Sequence, residues 1–404
     1  MITAIHQPGG LVTSKNPVLI IMNSDYGAEP SHRFRALVTL TSGDRSAIIN
    51  LIEFPFNSQG KFDLAEILHA FISEGEMIIP ELSQTHTTWI NVSNGNTCQF
   101  TVLISERYGY PLVDGDEDPI NVPNANDSTC LMGGFAYDKW PQEKYIADWI
   151  LQAEQNMPFL TWKPTTVMVS KTQPEYLTII RIVSSRGTPE AVVIHTEIYY
   201  SDGTFYNGIL TEINITTYNT YMLAVGYEAL GIGLPNPSKK VVYYTIWVKK
   251  DNSQITQKRT YYIDENIHLS ETYILFSNSL GGFDTVRMFG ATEFISDYKK
   301  SSTEIANGIY EKSGTRKTIE IEEQAGKKLS TGFISRKEVQ WLRDLFLSKN
   351  VYIVEEGKLV PIEITTKKLS MPEMNDVNAI NIEYDYKFTS NVYTPSYQEV
   401  NYIP

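Results

Sequence analysis

Residues 273–290 read YILFSNSLGGFDTVRMFG, and this stretch indicates how the chain folds. A short apolar run opens it, a polar turn with Gly281 and Gly282 follows, and a second run from Phe283 roughly alternates apolar and polar residues. This order predicts a strand, a glycine turn and a second strand. Adjacent glycines permit a positive φ or a close backbone approach. We therefore expect Gly281 and Gly282 to form a structural corner between a sandwich and a C-terminal module, and not to bind a ligand.

The composition indicates a folded, strand-rich protein. The 404 residues exceed one ordinary core, so two to four domains are expected. The chain is 42% hydrophobic and 20% charged and contains 25 Tyr and 16 Phe, residues that favour strands and also interfaces. The formal net charge of -13 argues against nucleic-acid binding, which needs basic surface to neutralise phosphates. We expect no nucleic-acid partner, sequence-specific or otherwise.

The cysteine pattern and the N-terminus are typical of a protein assembled in a reducing cytosol. Cys98 and Cys130 are the only cysteines and form no CxxC pair. The first residues contain no apolar segment after a basic one, so no signal peptide is predicted. No run approaches the length of a transmembrane helix, and no membrane association is expected.

Residues 1–112 predict an N-terminal β-sandwich with one short helix over 63–73. Residues 33–41 place apolar side chains at every second position, as in a half-buried strand. Asp63 is predicted to be the helix N-cap because Glu66 lies three residues later. Phe62 and Ile67 occupy the positions of a hydrophobic staple.

Residues 113–127 predict an acidic linker. Asp114, Asp116 and Asp118 have the first spacing of a calcium loop. Pro119 replaces the glycine that such a loop needs, and Ala125 stands where a glutamate would bind the ion. A solvated linker is the preferred interpretation, and an ion site remains the alternative.

The rest of the chain predicts more antiparallel sheet. Residues 128–290 form a series of short strands, either one sandwich or two subdomains that meet near 236. Residues 291–404 predict a C-terminal module with a helix over 335–348 capped by Ser335 and further strands. The polar, weakly patterned segment 299–328 is expected to be an extended arm, or strands that a neighbour completes. The predicted fold class is therefore mainly β: several antiparallel β-sandwich domains in series, a few short helices and a C-terminal helix with a β-hairpin.

No catalytic or cofactor motif is present. The sequence has no nucleophile elbow, no zinc-protease motif and no phosphate loop, and its six His do not fall at metal spacing. Glu363 and Glu383 are a carboxylate pair of a kind that any acidic strand-rich protein offers. Trp89, Trp162 and Trp247 suit sugar stacking but are more typical of a core. We expect neither an enzyme nor a bound cofactor or metal.

Five short segments occur in this order along the chain: FDL at 62–64, FLT at 159–161, QPEYL at 173–177, SLGGFDT at 279–285 and GFIS at 332–335. Together they resemble segments of tail proteins from phages and prophages of Bacteroidetes hosts, the crAss-like phages among them. The resemblance covers most of the chain, and each segment alone is short. Trp162 and Lys163 depart from it, because a small polar turn is expected there.

The resemblance implies a structural subunit of a phage tail: a hub, adaptor or ring component. Such a subunit would form a homo-oligomer, as a ring, with other tail or portal-complex proteins. It would be assembled in the host bacterial cytoplasm and be located in the virion tail. The alternative is a host-glycan binding module, which needs an exposed aromatic shelf with convergent polar groups. A tail-borne hydrolase is a third possibility that no residue pattern supports.

Overall fold

A computed structural model of the chain describes residues 2–83, 85, 90–114, 120–122, 128–136, 146–151, 157–182, 186–268, 270–304, 316–370, 377–390 and 392. The chain is mainly β, with several antiparallel sheets and short helices. It divides into two compact units. The first unit comprises Met1–Glu265 and Ser277–Thr285, and the second comprises Asn266–Phe276 and Val286–Pro404. Among the described helices, none is long and apolar enough to cross a membrane.

The elements up to residue 265 belong to the first unit. They are β1 Ile2–His6, β2 Leu11–Thr13, β3 Leu19–Ser24, β4 Arg33–Ser42, β5 Arg45–Glu53, β6 Gln59–Asp63, α1 Ala65–Ser73, β7 Ile90–Asn91, α2 Ser93–Asn96, β8 Thr97–Tyr108, β9 Val113–Asp114, β10 Ile120–Val122, β11 Thr129–Leu131, α3 Ile146–Leu151, β12 Thr166–Val169, β13 Tyr176–Ile180, β14 Pro189–Tyr200, β15 Phe205–Thr216, β16 Thr220–Ala224, β17 Val241–Lys250, β18 Ser253–Gln254 and β19 Arg259–Ile263.

The remaining elements follow residue 265. They are β20 Thr272–Ser277, β21 Phe283–Met288, β22 Thr292–Glu304, β23 Arg316–Ser335, α4 Arg336–Leu347, β24 Val351–Glu355, β25 Lys358–Ile364 and β26 Val377–Tyr386.

The first hydrophobic core of unit one draws on two sheets and a helix. One sheet has the order β1-β3-β6, and the other has the order β2-β11-β8-β4-β5, with β9 and β10 also on β8. Strand β4 alternates as the sequence predicts: Phe34, Ala36, Val38 and Leu40 are all fully buried. These side chains share a core with residues of β3, β8 and α1. Every second residue points to one face of a strand, so a single apolar register fixes which face is buried.

The second core of unit one draws on the sheet β12-β19-β17-β14-β15, with β18 on β17, and on the sheet β13-β16-β7. The predicted linker over 113–127 does not separate these regions. Its described residues form β9 and β10, which pair with β8, and β11 after it joins the first core's sheet. Conversely, β7 from before the linker pairs with β16 of the second core. Strand pairing across the linker therefore ties both cores into one compact unit.

The second unit is one sheet with the order β21-β20-β24-β25-β26-β23-β22, covered by α4. The predicted cap at Ser335 is confirmed, because its hydroxyl accepts from the Glu338 amide while the Glu338 carboxylate accepts from the Ser335 amide. The predicted extended arm over 299–328 is instead a paired hairpin of β22 and β23, with residues 305–315 outside the described part. The unit also begins earlier than the predicted boundary at 290, since 266–276 belong to it.

The first helix begins later than predicted. Its N-cap is Leu64 and not Asp63, and the cap has no side-chain hydrogen bond. Asp63 ends strand β6, and its Oδ1 accepts from the amides of Val18 at 3.0 Å and Ala65 at 3.1 Å. The aspartate therefore still satisfies an amide of the first helical turn, but it also binds the amide of the residue just before β3.

Candidate functional site

The glycine turn between β20 and β21 is held by one buried amide side chain. Asn278 Oδ1 accepts from the amides of Leu280 at 3.0 Å and Gly282 at 2.9 Å, and its Nδ2 donates to the Leu160 carbonyl at 2.9 Å. The Asn278 amide donates to the Gly282 carbonyl at 2.9 Å, which closes the turn. An asparagine is well suited here because its amide carries both acceptor and donor groups. We call residues 278–282 the glycine corner.

The glycine corner belongs to the first unit, while the strands on either side lead into the second. The chain leaves the second unit after Phe276 and returns to it at Val286. Asn96 Nδ2 donates to the Gly281 carbonyl at 2.7 Å, and the Ser279 carbonyl accepts from the Gly134 amide at 2.8 Å. The corner is thus an inserted loop whose backbone carbonyls accept hydrogen bonds from the rest of the first unit.

Gly281 meets both conditions that require a glycine. Its φ is +82°, in the left-handed region. A Cβ on Gly281 would lie 2.8 Å from the Met132 carbonyl oxygen and 3.2 Å from a Leu131 methyl carbon. Gly282 lacks the positive φ, and a Cβ there would lie 2.8 Å from the Thr178 hydroxyl. The space that both glycines border has no room for a water molecule.

A buried ion pair lies beside the corner. Lys163 Nζ contacts Glu175 Oε1 at 2.5 Å and donates to the Thr285 carbonyl at 2.8 Å. The Gln173 side-chain amide donates to the same Glu175 oxygen at 2.5 Å. The two charged side chains are 8% and 2% exposed, so each charge depends on its partner for compensation.

Two further contacts extend this network. Thr161 Oγ1 donates to Asp284 Oδ2 at 2.8 Å, and Arg259 Nη1 donates to the Lys163 carbonyl at 2.7 Å. Burial raises the pKa of the Glu175 carboxyl, while Lys163 and Gln173 oppose the shift. Burial and the Glu175 charge also raise the pKa of Tyr261. These groups form a fully enclosed structural network, which we call the Lys163 network, and it contains no serine or cysteine nucleophile beside a base.

The structure therefore brings together three of the segments that carry the family resemblance. FLT contributes Thr161, QPEYL contributes Glu175, and SLGGFDT contributes Asp284 and the corner. Lys163, which departs from the family pattern, is the cation of the pair. Asn96 was not identified from the sequence; it is the last residue of the short helix α2.

The remaining sequence candidates do not form a site. Asp114 pairs with Arg107, whose Nε is 2.5 Å from Asp114 Oδ1, and Asp116 and Asp118 lie outside the described residues. No group of metal-ligating side chains occurs in the described part of the chain. Glu363 pairs in register with Asp385, and the carboxylate of Glu383 lies 3.1 Å from a lysine ammonium.

The tryptophan candidates separate by environment. Trp247 is 4% exposed on β17, where its ring is covered by the stacked His195 ring and by the Lys258 ammonium. Trp162 is 39% exposed, and its indole nitrogen donates to the Ser279 hydroxyl at 3.1 Å. Trp89 lies outside the described residues.

Comparisons with known proteins assign no family. No protein-family model matches the chain, and no curated protein matches it. One matching solved structure is described as the crystal structure of calcium binding domain CBD12 of CALX1.1. It is 7% identical over 62% of this chain and 79% of that chain, with a TM-score of 0.17. A TM-score this low carries no argument about fold or function.

Proposed function

We propose that the chain is a structural subunit of a bacteriophage tail, a hub, adaptor or ring component that assembles with its own copies and with other tail proteins. The family resemblance supplies the class of protein. The observation that carries the assembly function is the hairpin of β22 and β23, which extends past its own sheet and exposes apolar side chains.

Part of this hairpin is a two-stranded ribbon. Strand β26 pairs with β23 only from residue 326 onward, whereas β22 pairs with β23 back to Arg316. Among the described residues, no third strand pairs with residues 316–322 of β23 or with the outer edge of β22. An open edge presents unpaired amide and carbonyl groups to another strand, and natural monomers normally block such edges.

The hairpin of β22 and β23 also carries an apolar stripe, which runs from its three-stranded part into the ribbon. Phe294, Tyr298 and Ile321 are 62%, 61% and 44% exposed. Phe294 and Tyr298 are four residues apart on β22, so their side chains point to the same face. Ile321 pairs with Lys300, two residues after Tyr298, and therefore lies on that face as well. Burying such a stripe against a partner would stabilise a contact that the isolated chain lacks. The proposed occupant is a second copy of this chain.

A second open edge offers a complementary surface. Strand β5 is the last strand of its sheet in the described residues, and its Ile48 and Ile52 are 66% and 56% exposed. Phe54 and Phe56 follow at 68% and 80% exposure. A closed ring of identical chains needs two different surfaces on each chain, one that meets the other on its neighbour. We assign these roles to the ribbon and to β5.

The test is the assembly state of the purified chain, measured by size-exclusion chromatography with light scattering and by electron microscopy. We expect concentration-dependent oligomers that include closed rings. The double variant Phe294→Ser and Tyr298→Ser should shift the chain to monomer. Leu347→Ser is the matched control, since Leu347 is 72% exposed but lies on α4 and not on β22 or β23, and it should leave assembly unchanged.

Two results would count against the proposal. One is a chain that stays monomeric at every concentration and does not assemble with tail proteins. The other is an oligomer that the ribbon variant and the Leu347 variant weaken equally, since the stripe would then have no specific role.

A further inference from the structure

The sheet β12-β19-β17-β14-β15 has an outer face that its own unit does not use as core. The strand register places one large side chain from each strand side by side, and we call this line the tyrosine row. Its members alternate with core residues, so they point away from the core. In strand order the row is Phe205, Tyr199, Tyr243, Tyr262 and Met168.

A polar row runs beside the tyrosine row, two residues along each strand. Its members also face one another in register across the sheet. They provide one carboxylate, one amide and several hydroxyls, which are the groups that recognise ligand hydroxyls. In the same strand order the polar row is Asn207, Glu197, Thr245, Thr260 and Thr166.

An open depression of about 290 Å³ lies where the two rows meet. Tyrosines and threonines of the rows line it together with Glu197 and Lys258. Its volume is at the lower end of the range for small-molecule sites, and its polar lining distinguishes it from an apolar pocket. The depression is therefore shaped for a small polar ligand or for one unit of a longer polymer.

The rings in this row have different roles. Tyr199 and Tyr243 lie 4.4 Å apart with 19° between their planes, so each covers a face of the other. Tyr262 is tilted by 37° from Tyr243 and is 40% exposed. Tyr262 is thus the lining ring best placed to stack on a ligand, while Tyr199 and Tyr243 offer ring edges and hydroxyls.

The charges at the depression balance. Glu197 Oε2 lies 4.0 Å from Lys258 Nζ, and that ammonium also lies 4.4 Å from the centre of the Trp247 ring. A phosphate or sulfate ligand would need a surplus of cationic donors, and the lining has none. A lipid would need an apolar lining. The site therefore favours an uncharged ligand that is rich in hydroxyls.

We propose that this depression binds a neutral saccharide. A pyranose presents a patch of C–H groups on one face and hydroxyls around its rim. The patch would stack on Tyr262, whose ring face is polarised to attract C–H groups. The rim hydroxyls would donate to Glu197 and exchange hydrogen bonds with the threonines of the polar row. This inference does not depend on the tail proposal, because it uses a different surface and a different measurement.

The experiment measures binding of the full chain to neutral cello-, malto-, xylo-, manno- and chito-oligosaccharides by saturation-transfer NMR and calorimetry. We expect at least one to bind with a Kd of about 1 mM or lower. Tyr262→Ala and Glu197→Gln should each weaken that binding at least about tenfold, while Tyr262→Phe retains it. Tyr206→Ala is the matched control: Tyr206 is 37% exposed on β15 but does not line the depression, so binding should not change.

The inference is overturned if no neutral saccharide binds, or if only charged glycans bind. It is also overturned if Tyr206→Ala weakens binding as much as Tyr262→Ala does. Circular dichroism of each variant establishes that it folds, and Tyr262→Phe separates loss of the ring from loss of the hydroxyl. If Tyr262→Ala instead abolishes self-association, the face is a protein interface and the saccharide proposal is wrong.

Discussion

Replacing Gly281 by alanine tests whether the glycine corner requires a glycine for its backbone conformation and for close packing. The structure separates these two requirements. Gly281 has φ +82° and a carbonyl oxygen 2.8 Å from the position of a Cβ. Gly203, in the turn between β14 and β15, has φ +80° and nothing within 4 Å of that position. Gly203→Ala is therefore a control matched in backbone conformation and in the unit it occupies.

The expected magnitudes follow from these geometries. A left-handed conformation costs an L-residue about 1–2 kcal/mol, and both variants incur that cost. Overpacking adds about 1–3 kcal/mol, and it applies to Gly281 alone because the Met132 carbonyl belongs to hydrogen-bonded backbone and cannot easily move. Alanine reduces the entropy of the unfolded chain equally in both variants, so that term cancels in the comparison. Gly281→Ala should thus be less stable than Gly203→Ala by about 1–3 kcal/mol.

Urea unfolding followed by tryptophan fluorescence and circular dichroism measures the difference. With an m value of about 3 kcal/mol per molar urea, the midpoints of the two variants should differ by about 0.3–1 M. Equal midpoints would refute the close-approach argument. A Gly281→Ala protein as stable as the parent would refute both requirements and remove the corner as a structural element.

Three further predictions concern buried charge and a helix cap. Lys163→Met and Glu175→Gln should each lower the free energy of unfolding by about 3–5 kcal/mol, because each leaves a buried charge without its partner. The double variant should lose less than the sum of the two single losses. Additive losses in this double-mutant cycle would contradict a coupled pair. Burial holds the pKa of Glu175 above its ordinary value of 4.5, so the folded state binds a proton more tightly than the unfolded state does. The free energy of unfolding should therefore fall as pH rises from 4.5 through the raised pKa. Glu175→Gln should flatten that dependence in pH-dependent urea titrations, and an unchanged slope would assign it to another group. Ser335→Ala should destabilise the second unit by about 1 kcal/mol in thermal unfolding. Ser348→Ala is the control, because it leaves the N-cap of α4 intact. Equal losses of stability in the two variants would contradict a stabilising role of the cap.

The sequence predicted strands and helix caps correctly where a single local rule determines the structure. The period-two alternation of residues 33–41 identified β4 and its buried face. The Ser335 cap was recognisable because both of its hydrogen bonds are made within four residues of sequence. Asp63 has the same signature, yet the helix begins after Leu64, since Asp63 also accepts from Val18 of a distant segment. Tertiary hydrogen bonds of that kind are invisible in a local pattern.

The two compact units differ from the predicted domains for the same reason. Residues 113–127 have the composition of a linker, but β9 and β10 are added to the edge of β8. Strands β7 and β11 each pair across the predicted boundary. Strand partners separated by many residues leave no periodic trace, so the sequence indicates strands more reliably than it indicates sheets. The segment over 299–328 is polar and weakly patterned, yet it pairs as β22 and β23, and β22 does so without a buried side chain.

Three of the segments that carry the family resemblance meet in the protein interior, so their residues serve the fold and not a binding surface. Thr161, Glu175 and Asp284 come from three such segments and meet at the Lys163 network, which is enclosed and has no access for a ligand. A buried charge left without its partner is costly, so these positions constrain one another through packing and pairing. They therefore mark an architecture and say nothing about what the surface binds. The ribbon of β22 and β23 and the tyrosine row lie outside those segments and expose side chains that the fold does not need. Function should accordingly be sought on these two surfaces, where the two proposals predict that substitutions change assembly or saccharide binding without affecting the Lys163 network.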